Sequence, residues 1–295
     1  MALRISIVIP NYNSGVVLER AIRSLLAQDY PNLQLIMMDA ASTDESRQTI
    51  ERYRDKFDVV VSEKDKGQAD AINKGFARAN GDVFGWLCAD DELLPGALKQ
   101  VAEIFERDPD ADVVTGACER QFADGSRAVI PPNPRSWEII GIQDPIEQSA
   151  TFWRAGLHRK VGELTLEFHL AFDWDLWNRF KRAGGRLVTS DHLMSRYYFS
   201  ETNKTGSAGR TFTKEAFVIL RRYGPMSGLL AYLYRFLYRH FDLHGCYDQP
   251  PTCTPGRSRW FVWTLRTMKV LIGQERLYQY NWHFASLQER GLKWW

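Results

Sequence analysis

Nothing in the 295 residues offers a membrane span: no run of about 20 apolar residues occurs, so no ordinary transmembrane helix is expected. The four cysteines form no CxxC pair. Cys88 and Cys118 sit in or beside apolar runs and read as small core residues. Cys246 and Cys253 could pair, but nothing else points to an oxidising compartment. The first residues lead straight into a strand pattern, and no signal peptide is expected. A glycine cradle for phosphate is missing as well. The loop after the first strand, Asn11-Tyr12-Asn13-Ser14-Gly15, lacks the GxGxxG of a dinucleotide-binding unit, and no GxxxxGK[ST] occurs. A phosphate-bearing ligand would need another partner, and a divalent cation held by carboxylates is the remaining solution.

What is present is unevenly placed. An apolar share of 44% suffices for a sizeable core. The formal net charge is +2, yet residues 211–295 hold twelve Lys/Arg against five Asp/Glu, a net of +7 that leaves −5 for residues 1–210. The same tail carries 18 of the 38 aromatic residues. An acidic body, 1–210, is therefore expected to bear a basic, aromatic extension, 211–295.

The body alternates strand and helix patterns. Residues 4–10 form a β-branched apolar run suited to a strand buried on both faces. Residues 16–28 carry a helical apolar stripe. Strands follow at 33–38 and 57–61, with helices from Glu45 and from Gln68; Thr43 or Asp44 could cap the first of these. Residues 83–88 supply a fourth strand, 112–115 another, and Asp124-Gly125-Ser126 a hairpin turn. This order predicts an α/β fold with a mostly parallel, Rossmann-like sheet flanked by helices. Ligands of such sheets bind beyond the carboxyl ends of the strands. Three strands there end in polar residues: Asn11, Tyr12 and Asn13; Asp39; and Asp90 with Asp91.

The stretch 81–96 is the focus. A turn pair, Gly81-Asp82, leads into an apolar run, then Asp90-Asp91, then Pro95 as the expected first position of a helix. Adjacent acids at the mouth of a buried strand repel each other unless a cation sits there. Capping of the following helix is the competing account, and on these residues alone the two weigh about equally.

Four ordered segments carry a family resemblance: Ser6-Ile7-Val8-Ile9-Pro10-Asn11-Tyr12-Asn13, Asp39-Ala40-Ala41-Ser42-Thr43-Asp44, Lys66-Gly67-Gln68-Ala69-Asp70-Ala71-Ile72-Asn73-Lys74-Gly75 and Gly85-Trp86-Leu87-Cys88-Ala89-Asp90-Asp91. The series resembles the GT-A glycosyltransferases of family 2, over roughly residues 4–205. The resemblance implies an inverting, metal-dependent transferase using a nucleotide-sugar donor. Pro10, Asn11, Tyr12, Asn13 and Asp39 would contact nucleobase and ribose, with a UDP- or dTDP-sugar favoured because a carboxylate can accept the imide N–H. Gln68 and Asp70 could approach the donor, though Asp70 serves equally well as a helix-start acid. Ser42 and Asp44 would shape the loop. Asp90 and Asp91 would hold Mg²⁺ or Mn²⁺, one of them also reaching ribose. The family usually has Asp where Cys88 stands, and a thiol is a poor ligand for either ion. Many members place a His where this chain has Tyr197-Tyr198-Phe199.

On the acceptor side, Gln148 is expected to line the cleft, and Trp153 to be core or a sugar platform. An inverting transfer needs a base for the acceptor hydroxyl. Resemblance points to Asp173 in Phe172-Asp173-Trp174-Asp175, with Asp175 and Glu167 as rivals. A last body strand is expected at 186–190. Residues 195–198 and 203–207 resemble a segment that folds over the donor, where Lys204 could neutralise diphosphate or be an ordinary loop lysine. Residues 229–241 and 260–272 read as amphipathic helices edged by Arg and Lys. They suit a membrane interface, or equally docking on the body or a dimer contact. The expected protein is cytoplasmic, peripheral on the inner face of the cell membrane, and acts on a saccharide or lipid-linked acceptor in cell-surface polysaccharide assembly. Nucleic acid is not an expected partner. The rival functions are a non-catalytic sugar-nucleotide binder and a nucleotidyltransferase.

Overall fold

A computed structural model describes residues 2–199, 204, 209–224, 231–232, 235, 263, 266–267 and 270. The chain divides into two compact units, one of residues 1–137 and 145–200, the other of 138–144 and 201–295.

The first unit is built on one sheet. β1 (Ile5–Asn11) is buried along its whole length and lies between β2 (Leu33–Asp39) and β4 (Val83–Trp86), parallel to both. β3 (Val59–Ser62) extends the parallel half beyond β2. On the other side parallel and antiparallel pairs mix. β8 (Thr151–Arg154) is antiparallel to β4 and to β6 (Val113–Gln121). β6 forms the expected hairpin with β7 (Arg127–Ile130) and runs parallel to β9 (Leu187–Tyr198). The short β5 (Glu92–Leu93) closes this edge, antiparallel to Arg196 and Ser195 of β9. Among the described residues the order is β3-β2-β1-β4-β8-β6-β9-β5, with β7 on β6.

Helices cover the sheet for simple reasons. α1 (Gly15–Leu26) presents Leu18, Ala21, Ile22 and Leu25, spaced at one helical face and fully buried. Each large member contributes roughly 1.5–3 kcal/mol of apolar burial. α2 (Ser46–Arg52) starts where Asp44 accepts the Ser46 N–H at 3.0 Å; the other carboxylate oxygen takes the Gly15 N–H at 2.9 Å, so one side chain ties down two helix starts. α3 (Gln68–Phe76) lies so close to β1 that a Cβ on Gly75 would come within 2.4 Å of Val8 Cγ1. α4 (Ala97–Arg107) begins two residues later than expected. Pro95 is outside it, and Gly96 holds φ +80°, the left-handed turn that admits glycine without strain. Its Leu98 N–H is received by Gln28, not by Asp90 or Asp91. α5 (Ser136–Ile139) and α6 (Ala155–Val161) are short. α7 (Phe172–Arg182) is anchored by Trp177 and Phe180, both fully buried.

Those two join Trp86, Trp153, Phe172 and Phe84 in an aromatic core. Trp86 stacks on Trp177 at 5.9 Å and meets Phe172 at 6.1 Å. Trp153 is wholly buried, so its role is packing and not sugar stacking.

In the second unit, α8 (Gly209–Tyr223) buries Thr213, Ala216, Ile219 and Leu220. Phe217 meets Tyr232 edge-on at 5.4 Å, and Arg235 lies over Phe217. Of the two expected tail helices, Ala231, Tyr232, Arg235, Trp263, Arg266, Thr267 and Val270 are helical; the rest lies outside the described residues. No described helix is long and apolar enough to cross a membrane.

Candidate active site

The strand order reverses between β1 and β4, and polar residues gather at the carboxyl ends there, as this topology requires. One group sits on β1, β2 and β3. Asn11 is in register with Asp39, and Asp39 with Ser62. Asp39 is 3% exposed, and its carboxylate accepts the Asn11 Nδ2 at 2.8 Å, both the N–H and hydroxyl of Ser42, and the Ser62 hydroxyl. Those four donors match a carboxylate's ordinary capacity. Contact with a base N–H therefore requires a serine hydroxyl to rotate away. Asn11 Oδ1, equally buried, has no hydrogen-bond partner among the described residues. Asn13 and Ala41 hold left-handed backbone, φ 49° and 56°, on the two loops that meet here. Asn13 joins those loops: its N–H donates to Ser42 Oγ and its Oδ1 accepts the Thr43 N–H, each at 2.9 Å. Tyr12 projects into solvent, and Pro10 is buried at the end of β1, beyond its pairing with β4. Ser62 was not anticipated, although a polar residue closing the third strand was readable by the same rule.

The second group follows β4. The strand ends at Trp86 instead of Cys88, and a turn closed by the Asp91 N–H on the Cys88 carbonyl carries the acids into β5. One donor atom each of Cys88, Asp90 and Asp91 lies within 4.8 Å of the others. Asp91 is 3% exposed, and its Oδ1 is buried without a hydrogen-bond partner among the described residues. Burial, then the neighbouring Asp90 and Glu147 charges, push the Asp91 carboxyl well above the usual carboxylate range. Burial also raises Asp90, which the Arg20 guanidinium partly offsets. An orphaned buried carboxylate oxygen beside a second acid fits a divalent cation, which satisfies both at once.

Around it stands an ionic frame. Arg20 donates to the Asp90 carbonyl at 2.9 Å, pairs with Glu92 at 3.0 Å and lies 3.5 Å from the Tyr198 ring centre. Glu92 also holds Arg196 and the Tyr198 hydroxyl. Residues 195–198 are thus part of strand β9 and not of a lid, and Tyr198 braces the acidic turn. A shift in register between β6 and β9 near Gly116 precedes this reach toward β5. Sequence reasoning missed Arg20 and Glu147, since their partners lie 27–72 residues away and nothing in local spacing marks them.

Gln68, first in α3, donates to Cys88 Sγ at 3.1 Å. Gln148 Oε1 accepts from that sulfur at 3.6 Å, with its own Nε2 donating to the Trp86 carbonyl. Asp70 accepts the Lys66 N–H and pairs with Lys74, as a helix-start acid does. Phe172, packed on Trp86, brings the first turn of α7 to the end of β4. Asp173 there is half-buried and accepts the Trp174 N–H at 2.7 Å. Asp175 is buried and committed to Arg179 at 2.8 Å. Glu167 is exposed on the loop before α7. Lys204 is half-buried in a turn of the second unit.

The fold and site define an α/β protein whose candidate site gathers polar side chains, Asn11, Asp39, Asp90 and Asp91, where β1, β2 and β4 end. The chain belongs to glycosyl transferase family 2, which it matches over residues 6–160. It is 36% identical over 132 residues to an uncharacterized glycosyltransferase of Nostoc sp., covering 43% of this chain and 40% of that one. It is 32% identical over 104 residues to the GalNAc(5)-diNAcBac-PP-undecaprenol beta-1,3-glucosyltransferase of Campylobacter jejuni, 34% of each chain. Such matches span 34–66% of the curated relatives' lengths. Two solved structures share the fold. Residues 1–349 of S. aureus TarS in complex with UDP-GlcNAc align with TM-score 0.60 at 18% identity, covering 94% of this chain and 84% of that one. The mannosyltransferase PcManGT of Pyrobaculum calidifontis with GDP-Man and Mn²⁺ aligns with TM-score 0.60 at 16% identity, covering 99% and 87%.

Proposed function

We propose that this chain is an inverting glycosyltransferase. It moves a sugar from a nucleotide-sugar donor, a UDP- or dTDP-sugar in preference, to a hydroxyl of a saccharide or lipid-linked acceptor in cell-surface polysaccharide assembly. The observation that carries this is the buried Asp91 oxygen, without a hydrogen-bond partner among the described residues, beside Asp90 at the reversal of strand order. Family membership and the nucleotide sugars in the two neighbouring structures support it.

Asn11, Tyr12, Asn13, Pro10 and Asp39 form the nucleoside end, with Asn11 Oδ1 as a further acceptor. A bound Mg²⁺ or Mn²⁺ at Asp90 and Asp91 supplies the positive charge that the leaving diphosphate needs. Arg20 fixes the Asp90 carbonyl, and Gln68 stands at the same turn. Asp173 takes the proton as the acceptor oxygen bonds to the anomeric carbon; the carbon–oxygen bond to diphosphate breaks, and its electron pair leaves with the nucleoside diphosphate. Asp173 is preferred over Asp175 because the resemblance points to it, and Asp175 is buried against Arg179. Lys204 is a candidate for the diphosphate. The exposed Trp263 and Val270, with Arg266, support a tail that rests on a membrane surface, which would place the protein on the inner face.

The test is Asp173→Asn. Sugar transfer, read as nucleoside diphosphate release, should fall by about 10²-fold or more, while calorimetric donor binding stays within a few-fold. Undiminished turnover removes Asp173 from the mechanism. Tight donor binding with no release by the wild-type chain would favour the non-catalytic binder.

A further inference from the structure

Cys88 occupies the place where the resemblance expects an acid, yet it lies inside the same donor cluster as Asp90 and Asp91. We propose that Cys88 is itself a metal ligand. The site then takes a thiophilic divalent cation, of the Zn²⁺, Co²⁺ or Cd²⁺ kind, in a mixed sulfur–oxygen set and in preference to Mg²⁺. The inference rests on the donor-site reading above.

Three observations carry it. The donor atoms of Cys88, Asp90 and Asp91 lie within 4.8 Å of one another. Metal–sulfur bonds of about 2.3 Å and metal–oxygen bonds of about 2.0–2.2 Å put two ligands of one ion at most ~4.5 Å apart, so small side-chain rotations close the set. Asp91, 3% exposed, already has a buried oxygen that no other group of the described chain satisfies. The sulfur's own surroundings suit a thiolate. Gln68 Nε2 donates to it at 3.1 Å, as N–H groups do around metal-bound sulfur. Gln148 is oriented by its bond to the Trp86 carbonyl, so its Oε1 faces the thiol and receives the S–H until metal arrives. Binding breaks that S–H bond, forms the metal–sulfur bond and releases the proton to solvent. Three protein ligands leave further positions for diphosphate oxygens, the pattern of a working site and not of a closed structural one. An aspartate at 88 would give an all-oxygen set suited to Mg²⁺; sulfur moves the preference toward softer ions.

Co²⁺ titration of the full chain tests this. The expected result is a sulfur-to-cobalt charge-transfer absorption in the near ultraviolet that saturates at one ion per chain and is lost in Cys88→Ser and Cys88→Asp. In Cys88→Asp the ratio of Cd²⁺ to Mg²⁺ affinity should also fall by about tenfold or more. A wild-type protein without the band overturns the proposal, as does a band that survives in Cys88→Ser, since it would come from another cysteine. The wild-type result decides even if a substitution unfolds the chain. UDP binding, measured alongside, separates the two claims. UDP bound with Mn²⁺ but no cobalt band sinks the thiolate ligand and leaves the donor site standing. A band dependent on Cys88 with no UDP binding under any ion supports the ligand and overturns the donor site.

Discussion

Asp91→Asn should make the metal-free protein more stable while destroying its response to ligand. The buried Oδ1 has no hydrogen-bond partner among the described residues, and an orphaned buried polar atom costs about 1–3 kcal/mol. Asn keeps the size of the side chain and removes the charge that burial and the Asp90 and Glu147 carboxylates oppose. For a chain of this size, about 1–3 kcal/mol corresponds to roughly 2–12 °C in Tm. Scanning calorimetry with EDTA should therefore find the variant above wild type. With MnCl₂ and UDP near 100 times their Kd, wild type should gain about 2.7 kcal/mol and the variant almost none. The pH dependence has a definite sign. Burial raises the Asp91 pKa, so wild type loses stability as pH rises from the ordinary carboxylate range through that raised value, and Asp91→Asn should lack this loss. A variant less stable than wild type in EDTA would refute the reasoning, because the carboxylate would then be a structural contact and not a strained site.

Other outcomes follow from the same structure. His158 is buried among Phe76, Phe84 and Trp153, and burial, then Arg179 and Arg159, pull its pKa from 6.5 to about 4. The unfolded chain binds this proton first, so stability should fall by roughly 3 kcal/mol between pH 6.5 and 4, and His158→Phe should flatten that part of a denaturant series. Gly75→Ala drives a Cβ to 2.4 Å from Val8 and should cost about 1–3 kcal/mol, read as a lower urea midpoint at unchanged slope. Flotation with anionic liposomes should carry the full chain upward, and removing residues 260–295 should abolish this; a full chain that stays below would argue against a membrane-facing tail.

Much of the fold was legible because its signals are local. The apolar run of β1, the stripe of α1 and the Asp-Gly-Ser hairpin each state their own structure. The ends of elements were less so. Pro95 suggested a helix start, but Gly96 needs a left-handed turn, and Gln28 receives the Leu98 N–H of α4 from 70 residues earlier. The antiparallel half of the sheet depends on β8 inserting between β4 and β6, a pairing that no spacing announces. In the site, Asp39, Asp90 and Asp91 could be found as polar residues ending apolar strands. The frame around them could not: Arg20 and Glu147 act through charge across long sequence separation. Asp39 shows the converse limit, for its type and place were readable while the four donors that already occupy it were not.

The central claim is a nucleotide-sugar site completed by a divalent cation at Asp90 and Asp91. Its most direct test is isothermal titration of UDP and UDP-sugars into the wild-type chain and Asp91→Asn, with MnCl₂ and with EDTA. The account predicts binding that requires both the ion and the Asp91 carboxylate, with one site per chain. Equal binding in EDTA, or an unaltered affinity in Asp91→Asn, would contradict it.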